Sequence, residues 1–509
     1  MIKVTANLNQ WYEYTYWCSP VKDQIIENAF PDTPSDRRFW FNAKNYLDQT
    51  KEVGNNNTNP GQDDIDDNGD DWQIASGVMK TGVGYAATSS VLGMFPRTDQ
   101  STFIGAFHTG DITVSVYKND LEANDNNWNL IGNPYPSAIS VDAFLSENMS
   151  VLDENVPINP PVNGISEGAI FLWSQNSEPS ETNNGNENFN FAQSDYAIIN
   201  LTTELAGGDG IIPNRYIPSG QAFFISYDHD AKGAPLRRNP NIKRGKVKFT
   251  NAMRMAYANS NSQFFRGNSN SSNKLWLNLT SDNGVFSQVA VANVDGATNE
   301  YDGFSYDTPR NLSSDDVYSM IYTLIRGKDM KFAIQGKKPN SLKTNEVISV
   351  GFKTAITIPT LYKFSIPKFE GSFFETNNIY LKDKFLNKVH DLFASDYVFT
   401  SDAGEFNKRF EIVFKTKSKH SEKITEDKIL LNSLKIIEYQ NGNVQFALQS
   451  AFEFKRIIIS DFQGKTIYNL TVNGRSKTFN LSNLKQATYI VQVELNDGSI
   501  IIKKMIKRK

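Results

Sequence analysis

Short runs of alternating apolar and polar residues dominate this chain. In residues 112–117, Ile112, Val114 and Val116 would share one face, as alternate side chains of a β-strand do. The same period of two recurs in residues 275–279 and 410–414, whereas only residues 141–147 have the pattern of a short helix. Many short strands joined by polar turns predict an all-β protein built from sandwiches.

The pattern divides the chain into three β-segments and one linker. Residues 1–244 would form a β-sandwich with long polar loops, and residues 245–414 a second sandwich of jelly-roll or Ig-like type. Residues 415–428 are charged and nearly free of apolar side chains, which is typical of a linker. Residues 429–509 would then form a small Ig-like β-sandwich. We therefore expect one or two β-sandwich domains followed by a compact C-terminal one.

Composition narrows the class of protein. The chain is 39% hydrophobic and 21% charged, which is a globular composition. Its net charge of -4 argues against a nucleic-acid binder, and it has no apolar stretch long enough to span a bilayer. A single cysteine, Cys18, allows no intrachain disulfide. Because Cys18 lies in an aromatic-rich segment, a packing role is favoured over a catalytic thiol.

The C-terminal segment carries two hairpin signals. Asn441-Gly442 and Asp497-Gly498 each separate two β-rich runs, and these dipeptides are preferred in two-residue hairpin turns. Other features follow a fixed order along the segment: Asp461 and Gly464 in a turn after a strand, then Leu481 and Leu484, then the strand opened by Tyr489, then Gly498, and finally Lys503 and Lys504.

This order resembles the C-terminal sorting domain of cargo proteins exported by the type IX secretion system of Bacteroidetes. The resemblance implies that Asp461, Gly464, Tyr489, Gly498, Lys503 and Lys504 belong to the sorting signal. The segment departs from the commonest form at Ala487-Thr488, where a glycine is usual before the tyrosine, and it lacks an opening Pro-Asn-Pro. An ordinary Ig-like tail domain is the alternative.

The resemblance implies a protein that is secreted or held on the cell surface, with the type IX translocon as a partner. The basic end, which also includes Lys507, Arg508 and Lys509, would either make charge contacts there or stay solvated. Residues 1–10 lack the apolar core of a secretory signal peptide. We therefore expect the chain to be the C-terminal part of a longer protein, or its start to be misplaced.

Five upstream stretches resemble recurring parts of large, uncharacterised flavobacterial surface proteins that carry such sorting domains. That family offers no activity or catalytic residues to transfer. Physically, Asn133-Pro-Tyr-Pro136 predicts a rigid turn after a buried strand, because proline fixes φ and ends ladder pairing. Ser219-Gly220-Gln221 predicts a turn that enters an apolar strand. The stretches are residues 128–139, 217–225, 261–266, 274–280 and 404–410.

An acidic loop is the best candidate for metal chemistry. Asp64, Asp66, Asn68 and Gly69 match the first half of a calcium-binding loop, whose oxygen ligands and sharp turn suit a hard cation. An EF-hand is excluded because its twelfth position, which needs glutamate, would be Ala75. A looser calcium site with Asp64, Asp66, Asn68 and Asp70 is one reading, and a solvated acidic loop is the other.

No motif in the sequence identifies an enzyme. Gly82-Val-Gly84 lacks the third glycine of a dinucleotide fingerprint, no Gly-x-Ser-x-Gly elbow is present, and the histidines show no metal spacing. Tyrosines and tryptophans in residues 11–17 would suit sugar stacking if exposed, but core packing is the commoner role for such aromatics. The histidines are His108, His229, His390 and His420.

We therefore expect no catalytic residues and no certain cofactor, with calcium as the one candidate. The predicted function is adhesion or another surface interaction by an exported, non-catalytic protein. Two alternatives stay open, a carbohydrate-binding module that contacts surface glycans and a hydrolase with an unrecognised site. Binding to insoluble glycans without turnover would separate them.

Overall fold

The structure is a computed structural model, in which 50% of the described residues lie in strands and 7% in helices. The predicted all-β class is therefore confirmed, with sandwich-like domains. The structure describes residues 1–47, 70–122, 127–148, 166–176, 178–180, 191–255, 272–310, 319–328, 330–358, 360–416, 434–439, 442–448, 452–460, 466–496 and 500–507.

Two compact units divide the chain. The first holds Met1–Leu392 and Asp396–Phe414, and the second holds Phe393–Ser395 and Lys415–Lys509. The expected boundary between residues 244 and 245 falls inside a strand, Ile242–Phe249. One apolar cluster also contains both Phe224 and Trp276, from the two sides of that boundary. The division of residues 1–414 into two sandwiches stays a prediction.

The described strands of the first 255 residues are short. They are β1 Ile2–Val4, β2 Tyr14–Trp17, β3 Arg38–Phe41, β4 Trp72–Ile74, β5 Tyr85–Thr88, β6 Gln100–Thr102, β7 Ile112–Asn119, β8 Asn127–Gly132, β9 Ala138–Ser140, β10 Ala169–Trp173, β11 Tyr196–Asn200, β12 Glu204–Leu205, β13 Tyr216–Ile217, β14 Ala222–Tyr227, β15 Ala234–Pro235, β16 Ile242–Phe249 and β17 Arg254–Met255.

The later strands are longer. They are β18 Asn273–Ser281, β19 Phe286–Asn293, β20 Thr308–Pro309, β21 Ser319–Leu324, β22 Lys331–Lys337, β23 Val347–Thr354, β24 Tyr362–Glu370, β25 Asn377–Asp383, β26 Lys388–Asp391, β27 Tyr397–Phe399, β28 Gly404–Thr416, β29 Leu434–Glu438, β30 Asn443–Leu448, β31 Phe454–Ser460, β32 Thr466–Thr471, β33 Ser476–Asn480, β34 Thr488–Leu495 and β35 Ile500–Ile506.

Helices are few and short. The α-helices are α1 Ile26–Ala29, α2 Val141–Asn148 and α3 Phe373–Thr376, and 3₁₀ turns occupy Ser35–Arg37, Gln193–Asp195, Asn251–Met253 and Pro339–Ser341. Helix α2 confirms the one helix that the sequence predicts. It buries Val141, Phe144 and Leu145 in the main apolar core, against β16 and β9.

Strands of the first unit form several sheets around shared cores. The larger ones run β12-β11-β10-β14-β8, β2-β5-β3-β4, β15-β16-β7 and an eleven-stranded sheet in the order β26-β25-β28-β23-β21-β22-β19-β18-β24-β27, with β20 on β22. The predicted alternation is confirmed in β7, where Val114 and Val116 are buried, and in β28, where Phe410 and Ile412 are buried. Strand β18 differs because Trp276 is buried as deeply as its leucines, so both faces are covered.

Candidate functional site

The C-terminal unit has two sheets packed around a core of its own. One sheet runs β29-β30-β33 and the other β32-β31-β34-β35. Their inward side chains include Leu434, Phe446, Ile457, Val491 and Met505, and all are buried. Leu481 and Leu484, which the sequence singles out, also lie in this core. The unit is therefore a small β-sandwich, as predicted.

Both hairpins predicted in this unit are present. Strands β29 and β30 pair antiparallel, and Gly442 adopts φ +77° at the turn between them. This left-handed conformation suits glycine, because a Cβ there costs free energy. Strands β34 and β35 also pair antiparallel, with Tyr489 opposite Met505. The turn residues Asn441, Asp497 and Gly498 lie outside the described residues.

Tyr489 is a structural residue of the sandwich. Its side chain is 5% exposed in the apolar core, and its hydroxyl donates a hydrogen bond to the Lys485 carbonyl at 3.0 Å. A tyrosine near the start of a strand that bonds back to upstream backbone is typical of Ig-like corners. This bond fixes the approach to β34, which is the strand that pairs with the last one.

Two lysines of the basic end bridge the edges of the two sheets. Strand β35 is an edge strand of one sheet and β29 an edge strand of the other. Lys503 Nζ donates to the Leu434 carbonyl at 2.7 Å, and Lys507 Nζ lies 2.5 Å from Glu438 Oε1. Because 434 and 438 have the same spacing as 503 and 507, β29 and β35 run side by side in the same direction. We call this contact the lysine seam.

The lysine seam shows that the basic end is partly buried. The Lys507 side chain is completely buried and that of Glu438 is 17% exposed, so a solvated tail does not describe Lys507. Lys504 lies on β35 opposite Ile490, but its side chain is outside the described residues. Asp461, Gly464, Arg508 and Lys509 are outside them as well. Recognition of these residues by the translocon stays a prediction.

The sequence patterns did not identify the two β29 residues that contact these lysines, Leu434 and Glu438. Glu438 and Leu434 lie 69 residues before their partners. No local pattern links residues so far apart. The available signal was a carboxylate at the end of a strand that is apolar apart from Lys435.

The calcium prediction lies mostly outside the described residues. Asp64, Asp66 and Asn68 are among those not described, so the site stays a prediction. Asp70 is described and exposed, and its backbone carbonyl accepts a hydrogen bond from Asn45 Nδ2 at 3.0 Å. Among the described residues, no group of three or more His, Cys, Asp or Glu side chains is placed to hold a metal ion.

Two of the upstream sequence stretches meet in one place, which we call the turn junction. The fully buried amide of Asn133 donates to the carbonyls of Ser137, Ile217 and Pro218 at 2.8, 3.0 and 3.2 Å. Ser219 Oγ donates to the Tyr135 carbonyl at 2.7 Å. The turn after β8 and the turn before β14 are thus bonded to each other, and both have the structural role that the sequence predicts.

Cys18, which directly follows β2, is hydrogen-bonded to the turn junction. Its backbone N–H donates to the Gly220 carbonyl at 2.7 Å, and its side chain is fully buried. Burial raises the pKa of the Cys18 thiol to about 12, so the thiol keeps its proton at neutral pH. Gly220 adopts φ +76°, and a Cβ there would lie 3.1 Å from the Cys18 carbonyl oxygen. This is the packing role expected for Cys18.

The aromatic segment 11–17 packs inward at its end. Only Tyr14–Trp17 forms a strand. Tyr16 stacks on Trp173 at 5.8 Å between ring centroids, and Trp17 packs against Phe30 and Phe103 in a second cluster. Buried rings of this kind stabilise the fold and are not exposed for sugar stacking.

A polar cavity of about 110 Å³ lies beside β2, β5 and β6. Its charged groups satisfy one another, since Ser89 Oγ donates to Asp99 Oδ2 and Arg97 NH2 donates to Ser89 Oγ at 2.7 Å. Arg97 Nε lies 2.8 Å from Asp99 Oδ1. The hydroxyl, the carboxylate and the guanidinium that line the cavity are therefore bonded to one another.

Comparison with known families separates the two units in the same way. A model described as a domain of unknown function, DUF8693, matches residues 1–414. A model described as a secretion system C-terminal sorting domain matches residues 440–508. No curated protein matches the chain. In the described part of the chain, no helix has the length and apolar character needed to cross a membrane. The chain therefore belongs to the DUF8693 family, and it ends in a type IX sorting domain of the kind typical of Bacteroidetes.

Proposed function

We propose that this protein is exported by the type IX secretion system and acts outside the cell or on its surface as a non-catalytic interaction protein. The observation that carries the proposal is the match of residues 440–508 to a sorting domain, within a β-sandwich unit that has its own core. The partner of that domain is the translocon, and the first unit performs the surface interaction.

Binding without catalysis fits the first unit best. Its one thiol is buried, and burial raises the pKa of that thiol to about 12, so it is not an accessible nucleophile. The two alternatives, a glycan-binding module and a hydrolase, differ from adhesion by a measurable property: a hydrolase releases products from the polymer that it binds.

The test of export uses the full chain behind a signal peptide in a flavobacterium that has the type IX system and in a strain that lacks the translocon. We expect surface or medium protein only in the competent strain. A second protein, truncated after Thr416, keeps the first unit and lacks the sorting domain. We expect it to remain in the periplasm of both strains.

A reporter fused to residues 415–509 tests whether the second unit is sufficient for export without the first unit. Export of the reporter by the competent strain alone would assign the address to the second unit. Periplasmic retention of both the full chain and the reporter in the competent strain would overturn the proposal.

A further inference from the structure

A short segment of the first unit concentrates positive charge. Residues 232–248 contain seven cations and no acidic residue, in a chain whose net charge is -4. The segment covers β15, β16 and the turn between them. The seven are Lys232, Arg237, Arg238, Lys243, Arg244, Lys246 and Lys248.

The period of β16 sorts its cations by face. Val247 and Phe249 are fully buried in the main core, so the alternate residues Arg244 and Lys246 point away from it and are exposed. Alternate residues of a strand lie about 7 Å apart. Arg237 and Arg238 lie in the exposed turn that leads into β16. We call Arg237, Arg238, Arg244 and Lys246 the cationic strip.

The cations of β16 have mostly small neighbours on the adjacent strands. Lys246 pairs with Ser115 across the β7–β16 ladder, and Arg244 pairs with Ala234 on β15. The larger neighbour of Arg244 is Tyr117, whose ring is covered by Lys44 Nζ at 4.9 Å. A further positive charge therefore lies next to Arg244, where an aromatic face would otherwise be open.

Acidic neighbours neutralise Lys243 and Lys248, two of the three other cations of the segment, but not the strip. Asp120 lies 3.3 Å from the ammonium groups of both Lys118 and Lys243. Lys248 Nζ lies 2.8 Å from Asp111 Oδ2 and 3.7 Å from Glu147 Oε1. In the described part of the chain, no carboxylate pairs with a member of the cationic strip. Like charges repel when held together, so a ligand that brings anions would relieve this repulsion.

We propose that the cationic strip binds an extended anionic polysaccharide that bears carboxylate or sulfate groups. A row of cations along one strand fits a linear polyanion, because successive anionic groups can each meet a guanidinium or an ammonium. The choice of a glycan rests on the proposed export, which places the strip among extracellular polymers. Nucleic acid is disfavoured because strand-binding proteins add stacking aromatics to the basic surface, and the Tyr117 ring is covered.

The experiment measures binding of the purified full chain to polygalacturonate and to dextran sulfate, with neutral dextran and a single-stranded oligonucleotide as comparisons. We expect binding to at least one anionic polysaccharide at about 0.15 M salt and none to dextran. The variant Arg244→Glu/Lys246→Glu should bind at least about tenfold more weakly. Its affinity should also depend less steeply on salt, since fewer counterions are displaced.

A matched control is Lys343→Glu/Lys408→Glu, which changes two exposed lysines elsewhere and alters the net charge equally. It should bind as the unaltered chain does. Equal loss in both variants would overturn the proposal, because net charge alone would then explain binding. Absence of binding to both anionic polysaccharides, or tighter binding to the oligonucleotide, would overturn it too. Circular dichroism of both variants confirms folding, and none of these outcomes depends on export.

Discussion

Asn133 shows how one side chain can hold two loops. Its amide nitrogen serves three carbonyls that belong to two turns, and its Oδ1 accepts the Tyr135 N–H at 3.0 Å. A buried carbonyl that loses its hydrogen-bond donor stays desolvated without compensation, and this destabilises the folded state. Asn133 therefore holds the two turns together from a fully buried position.

We predict that Asn133→Ala lowers the free energy of unfolding of the first unit by about 2–4 kcal/mol. All seven tryptophans precede residue 277 and lie in the first unit, so tryptophan fluorescence during urea denaturation measures that unit alone. The control Asn239→Ala removes an exposed amide and should change stability by less than about 0.5 kcal/mol. Equal effects of the two variants would contradict the assigned role.

We expect Asp307 to make the free energy of unfolding of the first unit depend on pH. Burial raises the pKa of this fully buried carboxyl to about 7, although the N–H groups of Asp302 and Gly336 donate to it at 2.7 and 2.9 Å. Below about pH 4 the group is protonated in both folded and unfolded chains. Between about pH 4 and 7 only the folded chain keeps the proton, so the free energy of unfolding falls as pH rises.

We predict that Asp307→Asn removes this fall. The difference in stability between the variant and the unaltered chain should grow from pH 4.5 to pH 7, in the variant's favour, and then stay level. Urea denaturation followed by tryptophan fluorescence at several pH values measures it. The exposed Asp402→Asn is the control. Parallel profiles for the unaltered chain and the Asp307 variant would exclude Asp307 as the titrating group.

At the scale of elements, a buried ion pair joins three strands of the eleven-stranded sheet. Arg409 on β28 and Asp383 at the end of β25 approach to 3.0 Å, and both side chains are at most 5% exposed. Tyr397 on β27 donates its hydroxyl to Asp383 at 3.0 Å. Strand β27 is the last strand at one end of the sheet, and β25 is next to last at the other. Side chains therefore connect the two ends where no backbone ladder does.

We predict that Arg409→Met lowers the stability of the first unit by about 3–5 kcal/mol, because Asp383 would keep a buried and unpaired charge. The double variant Arg409→Met/Asp383→Leu should lose clearly less than the sum of the two single variants. Tryptophan fluorescence during denaturation measures the stability of the single and double variants, since Trp276 lies on β18 of this sheet. Additive losses would show that the two groups do not act together.

The lysine seam is the corresponding device of the second unit. It joins β35 to β29 through two lysine side chains, one bonded to a backbone carbonyl and the other to a carboxylate. Removal of Lys507 takes a cation away from the Glu438 carboxylate, whose side chain is only 17% exposed. Lys455, which also pairs with a glutamate, is 61% exposed at its side chain. Exposed pairs contribute about 0–1 kcal/mol and buried ones much more when broken.

We predict that Lys507→Met speeds hydrogen exchange in β35 and β29, and that Lys455→Met leaves it nearly unchanged. Exchange followed by mass spectrometry on the full chain measures both strands separately. If the folded end is what the translocon recognises, Lys507→Met should also reduce export relative to Lys455→Met. Unchanged exchange in the Lys507 variant would show that the Lys507–Glu438 pair does not hold the two strands together.

At the scale of the whole molecule, each unit has a core of its own. The buried residues of the second unit form one cluster within residues 434–505, and the first unit buries its own clusters upstream. We predict that truncation after Thr416 leaves the tryptophan-monitored unfolding transition unchanged. A shift of that transition by more than a few degrees would show that the first unit depends on the second.

Local patterns were enough for the class of fold and for the sorting domain. Val114 and Val116 alternate because a strand places every second side chain on one face, and Gly442 marks its hairpin because few other residues adopt a positive φ. The cationic strip was also readable, since residues 232–248 contain no acid and Arg244 and Lys246 share a period of two. The net charge of the whole chain does not reveal the strip, because a sum over all residues cannot show a local excess of cations.

The sequence by itself determined the β-strands, the two C-terminal hairpins, the short helix α2 and the type IX sorting domain, because each depends on residues close together in the chain. Only the tertiary structure decided that Lys507 is buried against Glu438, that Asn133 bonds the turn at Ser219, and that Arg409 joins Asp383 to β27. These contacts link residues far apart in sequence. Their partners are set by how sheets pack, and no local period encodes that packing.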